Sequence, residues 1–205
     1  MEELIKKALG EGVTRKELFK VYVPKAHEMR KDLFARASEV PIIISFWFED
    51  VDERYTCEFS PRGCEVEVGE MIDFPQATIV MQASDWDEVR GYLERYGLML
   101  EKHREELEGR YVANDPMGED IKDAFESLHG MIKVDVEGIK LKVILNDYEE
   151  SKGDPCFAVD VTHRLIEDLI QGKVEPRHVA GQVKVKGQMS FAMDLAGFIT
   201  RHFDM

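Results

Sequence analysis

The segment from Met131 to Leu145 constrains the fold of this chain more than any other. Ile132, Val134 and Val136 alternate with Lys133, Asp135 and Glu137, and beyond Gly138 the residues Ile139, Leu141, Val143 and Leu145 alternate with Lys140 and Lys142. A period of two belongs to a strand with one apolar and one wet face. Glu137-Gly138 between the runs is a tight-turn signal, so the segment predicts a hairpin.

Other stretches repeat the theme. Ile42 to Phe48 is a β-branched and aromatic run, apolar on both faces, which predicts a buried strand. Arg54 to Phe59 places Tyr55, Cys57 and Phe59 on one face; Ser60-Pro61-Arg62-Gly63 is a turn, and Cys64, Val66 and Val68 alternate with Glu65 and Glu67. Ala77–Ala83 predicts a strand leading to a helix capped by Ser84, with Trp86, Val89, Tyr92, Leu93 and Tyr96 at helical spacing. Phe157, Val159 and Val161 form a further strand before a helix capped by Thr162 and ended by Gly172, and Gln182–Lys186 a last one. Helices are also predicted over Glu3–Leu9, from the capping box Thr14-x-x-Glu17, over Lys25–Ser38, Leu98–Leu107, Ile121–Leu128 and Gln188–Phe203. Pro24 can break or kink the second of these. Gly109–Gly118, with Asn114-Asp115-Pro116, is the candidate internal boundary. On both sides of it the order is helix, antiparallel strands, then a strand running into a Ser/Thr-capped helix, which points to a divergent duplication.

Composition removes several function classes. A formal charge of -14, from 27 basic and 41 acidic residues, argues against binding nucleic acid, whose phosphates draw affinity from Lys and Arg. An anionic membrane surface would repel the chain, and no apolar run approaches the roughly 20 residues of a spanning helix. Cys57, Cys64 and Cys156 form no C-x-x-C pair and read as thiols of a reducing compartment; with no signal-peptide pattern, the expected location is cytoplasmic. No two of the six histidines stand three or four residues apart, so no metal or other cofactor is expected. His163 reads as a surface residue. The acidic run Glu49, Asp50, Asp52 and Glu53 lacks the spacing of a calcium loop and reads as a solvated turn. Nothing groups a nucleophile, a base and an orienting residue, so the chain is not expected to be an enzyme.

From Cys156 to Leu195 the chain reads CFAVDVTHRLIEDLIQGKVEPRHVAGQVKVKGQMSFAMDL. This resembles the sterol carrier protein type-two domain family: an apolar strand, a short helix, Gly172-Lys173 with Pro176 following, a strand bounded by Gly181 and Gly187, then an apolar helix. Val159, Thr162, Leu165, Leu169, Lys184, Val185 and Leu195 carry the rest of the likeness, and Gln188 stands where the family often has an acidic or amide residue. The run Arg54–Leu93 is similar to the earlier part of the same domain, but after Leu93 a charged helical stretch replaces the Gly-strand-Gly segment. The resemblance implies an α+β fold of twisted antiparallel sheets covered by helices. It would comprise a degenerate sterol-carrier-like lobe over residues 1–113 and a more complete one over 114–205.

It also implies an apolar tunnel between sheet and helices for a lipid or fatty acyl chain. The expected lining is Phe157, Val159, Val161, Leu165, Leu169, Met189, Phe191, Met193 and Phe198. Flexible Met and aromatic side chains on a terminal helix suit such ligands. The same residues at helical spacing also suit a solid core, in which case the domain serves as a protein-interaction or dimerisation module, a homodimer included.

Overall fold

The computed structural model describes residues 1–30, 41–69, 74–104, 125–147, 150, 153–175, 178–179 and 182–202. The predicted boundary at Gly109–Gly118, the far ends of the helices predicted over Lys25–Ser38 and Leu98–Leu107, and the first half of that over Ile121–Leu128 lie outside them.

At the N-terminus, α1 (Glu2–Ala8) precedes a continuous helical run. Thr14 Oγ1 accepts from Glu17 N and opens α2 (Arg15–Glu17); a π-helical turn over Leu18–Tyr22 leads into α3 (Val23–Met29). Pro24 explains the wide turn. Its ring offers no N–H and crowds the carbonyl four residues back, at Lys20, so the run widens there and Val23 N donates five residues back to Leu18 O.

The strands are β1 (Ile42–Phe48), β2 (Glu53–Ser60), β3 (Gly63–Val68), β4 (Ala77–Met81), β5 (Gly130–Val136), β6 (Ile139–Leu145), β7 (Cys156–Val161) and β8 (Lys184–Gly187). They form one eight-stranded sheet in the order β3-β2-β1-β4-β6-β5-β7-β8. The predicted hairpin is β5–β6, and its turn is paid for in backbone conformation by Glu137 and Gly138, both at positive φ (51° and 111°). The pairings β1–β2, β2–β3, β4–β6, β5–β6 and β7–β8 are antiparallel. Two pairings are parallel: β4 returns beside β1 after the β1–β2–β3 meander, and β7 returns beside β5 after the β5–β6 hairpin. The fold is α+β, and both halves contribute to the same sheet through the antiparallel pair β4–β6.

The remaining helices are α4 (Trp86–Lys102), α5 (His163–Ile170) and α6 (Met189–His202). The registers put Phe46, Phe48, Tyr55, Cys57, Ile79, Met81, Ile139 and Leu141 on one face of the sheet, and the same face continues through Val143, Leu145, Ile132, Phe157 and Val159. Two apolar clusters cover it. Phe19, Trp86, Val89 and Tyr92 pack over its first half, where Phe19 stacks on Tyr55 with centroids 4.5 Å apart. Phe191, Leu195 and Phe198 pack over its second half. The outermost strands differ in charge: β3 exposes Glu65 and Glu67, β8 exposes Lys184 and Lys186.

The acidic run after β1 is the exposed turn expected, and its carboxylates also act as a junction. Glu49 accepts from Lys142 Nζ at 3.0 and 3.2 Å and from Gln82 at 3.2 Å. Glu53 accepts from Arg15 at 2.7 Å and from the Tyr55 hydroxyl. Burial and the bond to Glu53 raise the Tyr55 phenol above its ordinary pKa. Asp50 accepts from the backbone N–H of Ala83 (2.5 Å) and Ser84 (3.3 Å), at the 3-10 turn Ala83–Asp85 that leads into α4. Ser84 therefore does not cap this helix as expected; a carboxylate more than thirty residues away takes the role, and two N–H bonds favour its ionised form. Those bonds, Ala83 first, lower the Asp50 pKa below 3.8. A carboxyl depressed on folding stabilises above its unfolded pKa, and that contribution is lost as pH falls through the folded value. Asp50→Ala should lower the melting temperature at pH 7, and the gap from wild type should close as the pH is brought down through the acid range in thermal melts.

Candidate functional site

The apolar second half of the sheet is built around the start of α6. Gly187 stands at φ 117°, and a Cβ there would lie 2.7 Å from Cys156 O, so only glycine lets the chain pass this close to β7. The next residue locks the junction: Gln188 N donates to Cys156 O, and Gln188 Oε1 accepts from Cys156 N, both at 2.9 Å. An amide side chain serves here because the partner is a donor. From that anchor Phe191, Leu195 and Phe198 follow at spacings of four and three, one stripe of the helix.

That stripe meets the sheet. Phe191 packs edge-on to Phe157 with centroids 5.5 Å apart, and Phe198 lies 5.6 Å from Phe125. Leu128 and Leu145 complete the buried centre, with Val159, Val185 and Leu195 partly buried against it. Gly130 admits the Phe191 ring; its φ is 149°, and a Cβ would fall 2.6 Å from Phe191 Cζ and from Pro155 O.

Of the residues expected to line a site, Phe157, Val159, Phe191 and Phe198 come together in this cluster. Met189 and Met193 do not. They are 54% and 68% exposed, because their spacing puts them on the opposite stripe of α6 from Phe191 and Phe198, and the expected inward Met lining is corrected on that point. Leu165 is buried, while Val161 and Leu169 are partly exposed, and these three belong to neither cluster. Val134 also lies outside both. Its register partners are Leu141, in the first cluster, and Val159, in the second, so Val134 marks the seam between the two helical covers. Val134 keeps part of its surface accessible there, and so does Val161 at the end of β7.

α5 is fastened on the other side of the seam, to α4. His163 stacks on Tyr92 at 3.6 Å between centroids, its Nδ1 is hydrogen-bonded to the Tyr96 hydroxyl, and Nε2 lies 3.8 Å from Glu137. Arg95 pairs with Glu167 at 2.5 Å. Burial, and next the Glu167 charge, push the Tyr96 phenol up to about 12, so it stays protonated. His163 is thus an interhelical tie and not the surface residue expected; no local pattern signals a contact spanning 67 residues. Cys57 and Cys64, both free, share a thiol hydrogen bond that raises the first and lowers the second. Among the described residues, no three His, Cys, Asp or Glu gather as a metal site, and no helix is long and apolar enough to cross a membrane.

No family model matches the chain, and no curated protein matches it. Among solved structures it is similar to a chain titled "UbiJ-SCP2 Ubiquinone synthesis protein", at 16% identity and a TM-score of 0.24, over 48% of this chain. The likeness spans 66% of that chain, just under two thirds of its length. A likeness of that extent defines no function.

Phe191 should behave as core and Met193 as surface. Phe191→Ala is expected to cost about 3–5 kcal/mol, since the ring is 4% exposed and its loss leaves a cavity. Met193→Ala should stay within about 0.5 kcal/mol. Urea unfolding curves of both variants measure the contrast.

Proposed function

We propose that this chain binds an apolar small molecule, a lipid or fatty acyl chain, between its sheet and helices, without catalysing a reaction on it. The observation that carries the reading is the seam. A continuous apolar sheet face is capped by two separate helical covers, and Val134, between them, remains partly exposed. An acyl chain laid there would bury apolar surface at about 25 cal/mol per Å² without displacing a hydrogen bond. Phe157, Val159, Leu165, Leu169, Phe191 and Phe198 would form its surroundings, and the resemblance of Cys156–Leu195 to the sterol carrier family supports the same assignment. The acidic balance suits a cytoplasmic carrier that neither binds nucleic acid nor inserts in a membrane. The repeated order of a hairpin and a strand parallel to its first member supports two related halves, divided near residue 113.

One observation favours a second reading, an interaction or dimerisation module. Met189 and Met193 present an exposed apolar stripe on α6 while Phe191 fills the space beneath it. A fluorescent fatty acid separates the two. Carriage predicts saturable binding, a melting temperature that rises with ligand, and loss of both in Val134→Glu but not in Met193→Glu. No shift across a lipid panel, together with a concentration-dependent dimer abolished by Met193→Glu, would overturn the carrier reading.

A further inference from the structure

The face of the sheet opposite the two helix-covered clusters carries, over β6, β5, β7 and β8, a concentration of positive charge. The registers align Lys142, Lys133, Ala158 and Lys186 in one row across these strands, and Lys140, Asp135, Asp160 and Lys184 in the next. Five lysines and two aspartates therefore share one patch of a chain whose formal charge is -14. Lys133, Lys140, Lys184 and Lys186 are exposed, as is Asp160. The patch spans about 14 Å across the strands, three strand spacings, and about 7 Å along them.

The sheet does not neutralise this charge. Lys133 stands directly opposite Lys142 in the β5–β6 pair, and like charges so placed are destabilising. Lys142 turns to Glu49 at 3.0 Å, and Lys186 to Asp160 at 3.4 Å. Asp135, the register partner of Lys140, is engaged elsewhere: its Oδ1 accepts from Gly138 N at 2.8 Å in the hairpin turn. Lys133, Lys140 and Lys184 are left without a carboxylate among the described residues. The strand ladder sets their backbone positions, while each ammonium keeps the reach of a flexible four-carbon stem.

We infer that this lysine face docks a short acidic segment of another protein, an extended stretch with a carboxylate for each of the three cations. Charge complementarity selects an acidic partner, and the chain's own charge limits its size. With a Debye length of about 8 Å, a long polyanion would meet the field of the 41 acidic residues as well as that of the patch. A segment of a few carboxylates lies within the patch. A lipid surface fits less well, because the exposed Met189 and Met193 that could enter it stand on α6, which covers the opposite face. Nucleic acid also fits less well, since neither row offers an arginine or an aromatic ring to a base. The face is separate from the apolar seam, and neither depends on the other.

A rhodamine-labelled hexaglutamate peptide is the probe, followed by anisotropy at low ionic strength. Saturable binding is expected, weakening about tenfold or more as salt is raised past physiological strength. Lys133→Glu/Lys184→Glu should weaken it about tenfold or more, whereas Lys6→Glu/Lys7→Glu, the same change of net charge on exposed residues of α1, should leave it within about twofold. Lys133→Gln/Lys184→Gln should fall between wild type and the reversal, which keeps the test open if the reversal fails to fold. Equal losses in the two reversals mean unspecific attraction and overturn the inference, as does a peptide that does not bind. Binding of phosphatidylserine vesicles or a single-stranded oligonucleotide through the same lysines, without binding of the peptide, assigns another class of partner and overturns it too. So does a dimer in light scattering that Lys133→Glu/Lys184→Glu dissolves, because a second copy then occupies the face.

Discussion

Ala77 lies opposite Leu145 and Val80 opposite Lys142, and on those few antiparallel pairs between β4 and β6 the rest of the architecture depends. They join two hairpin-containing halves into one sheet, so that a single apolar face runs from β3 to β8. The halves then share their interiors. Ile139 and Leu141, from the second, pack in the cluster over the first, while Ala77, from the first, packs in the cluster over the second. Lys142 reaches Glu49 only because β6 lies two strands from β1. Apolar residues on both faces suit the shared strand: β4 contributes Ile79 to one side and buries Val80 on the other.

What the sequence revealed was local. The β5–β6 hairpin, the β2–β3 turn at Pro61-Arg62, the Thr14 and Thr162 caps and the α6 stripe all follow from periods and turn chemistry within a few residues. Phe157, Val159, Phe191 and Phe198 were legible as one apolar group because strand and helix periods each aim them inward. Met189 and Met193 were misplaced because hydrophobicity alone does not choose between adjacent stripes of one helix.

The rest depends on distance in sequence. Nothing near Asp50 says that its carboxylate will meet the N–H groups of Ala83 and Ser84, or near His163 that it will lie on Tyr92. The parallel pairings β1–β4 and β5–β7 likewise rest on long-range closure.

The charges on the outermost strands decide how this sheet could grow. Unpaired strand edges invite further strands, and proteins commonly guard them with charge and brevity. Two copies approaching through β3 would bring Glu65 and Glu67 against their own kind, and two approaching through β8 would oppose Lys184 and Lys186. Repulsion therefore forbids like-with-like stacking but leaves β3 against β8, an attractive, head-to-tail and open-ended contact. Against that polymer the guard is length: β8 spans four residues, too few for a long ladder, and glycine ends it where the chain turns into α6.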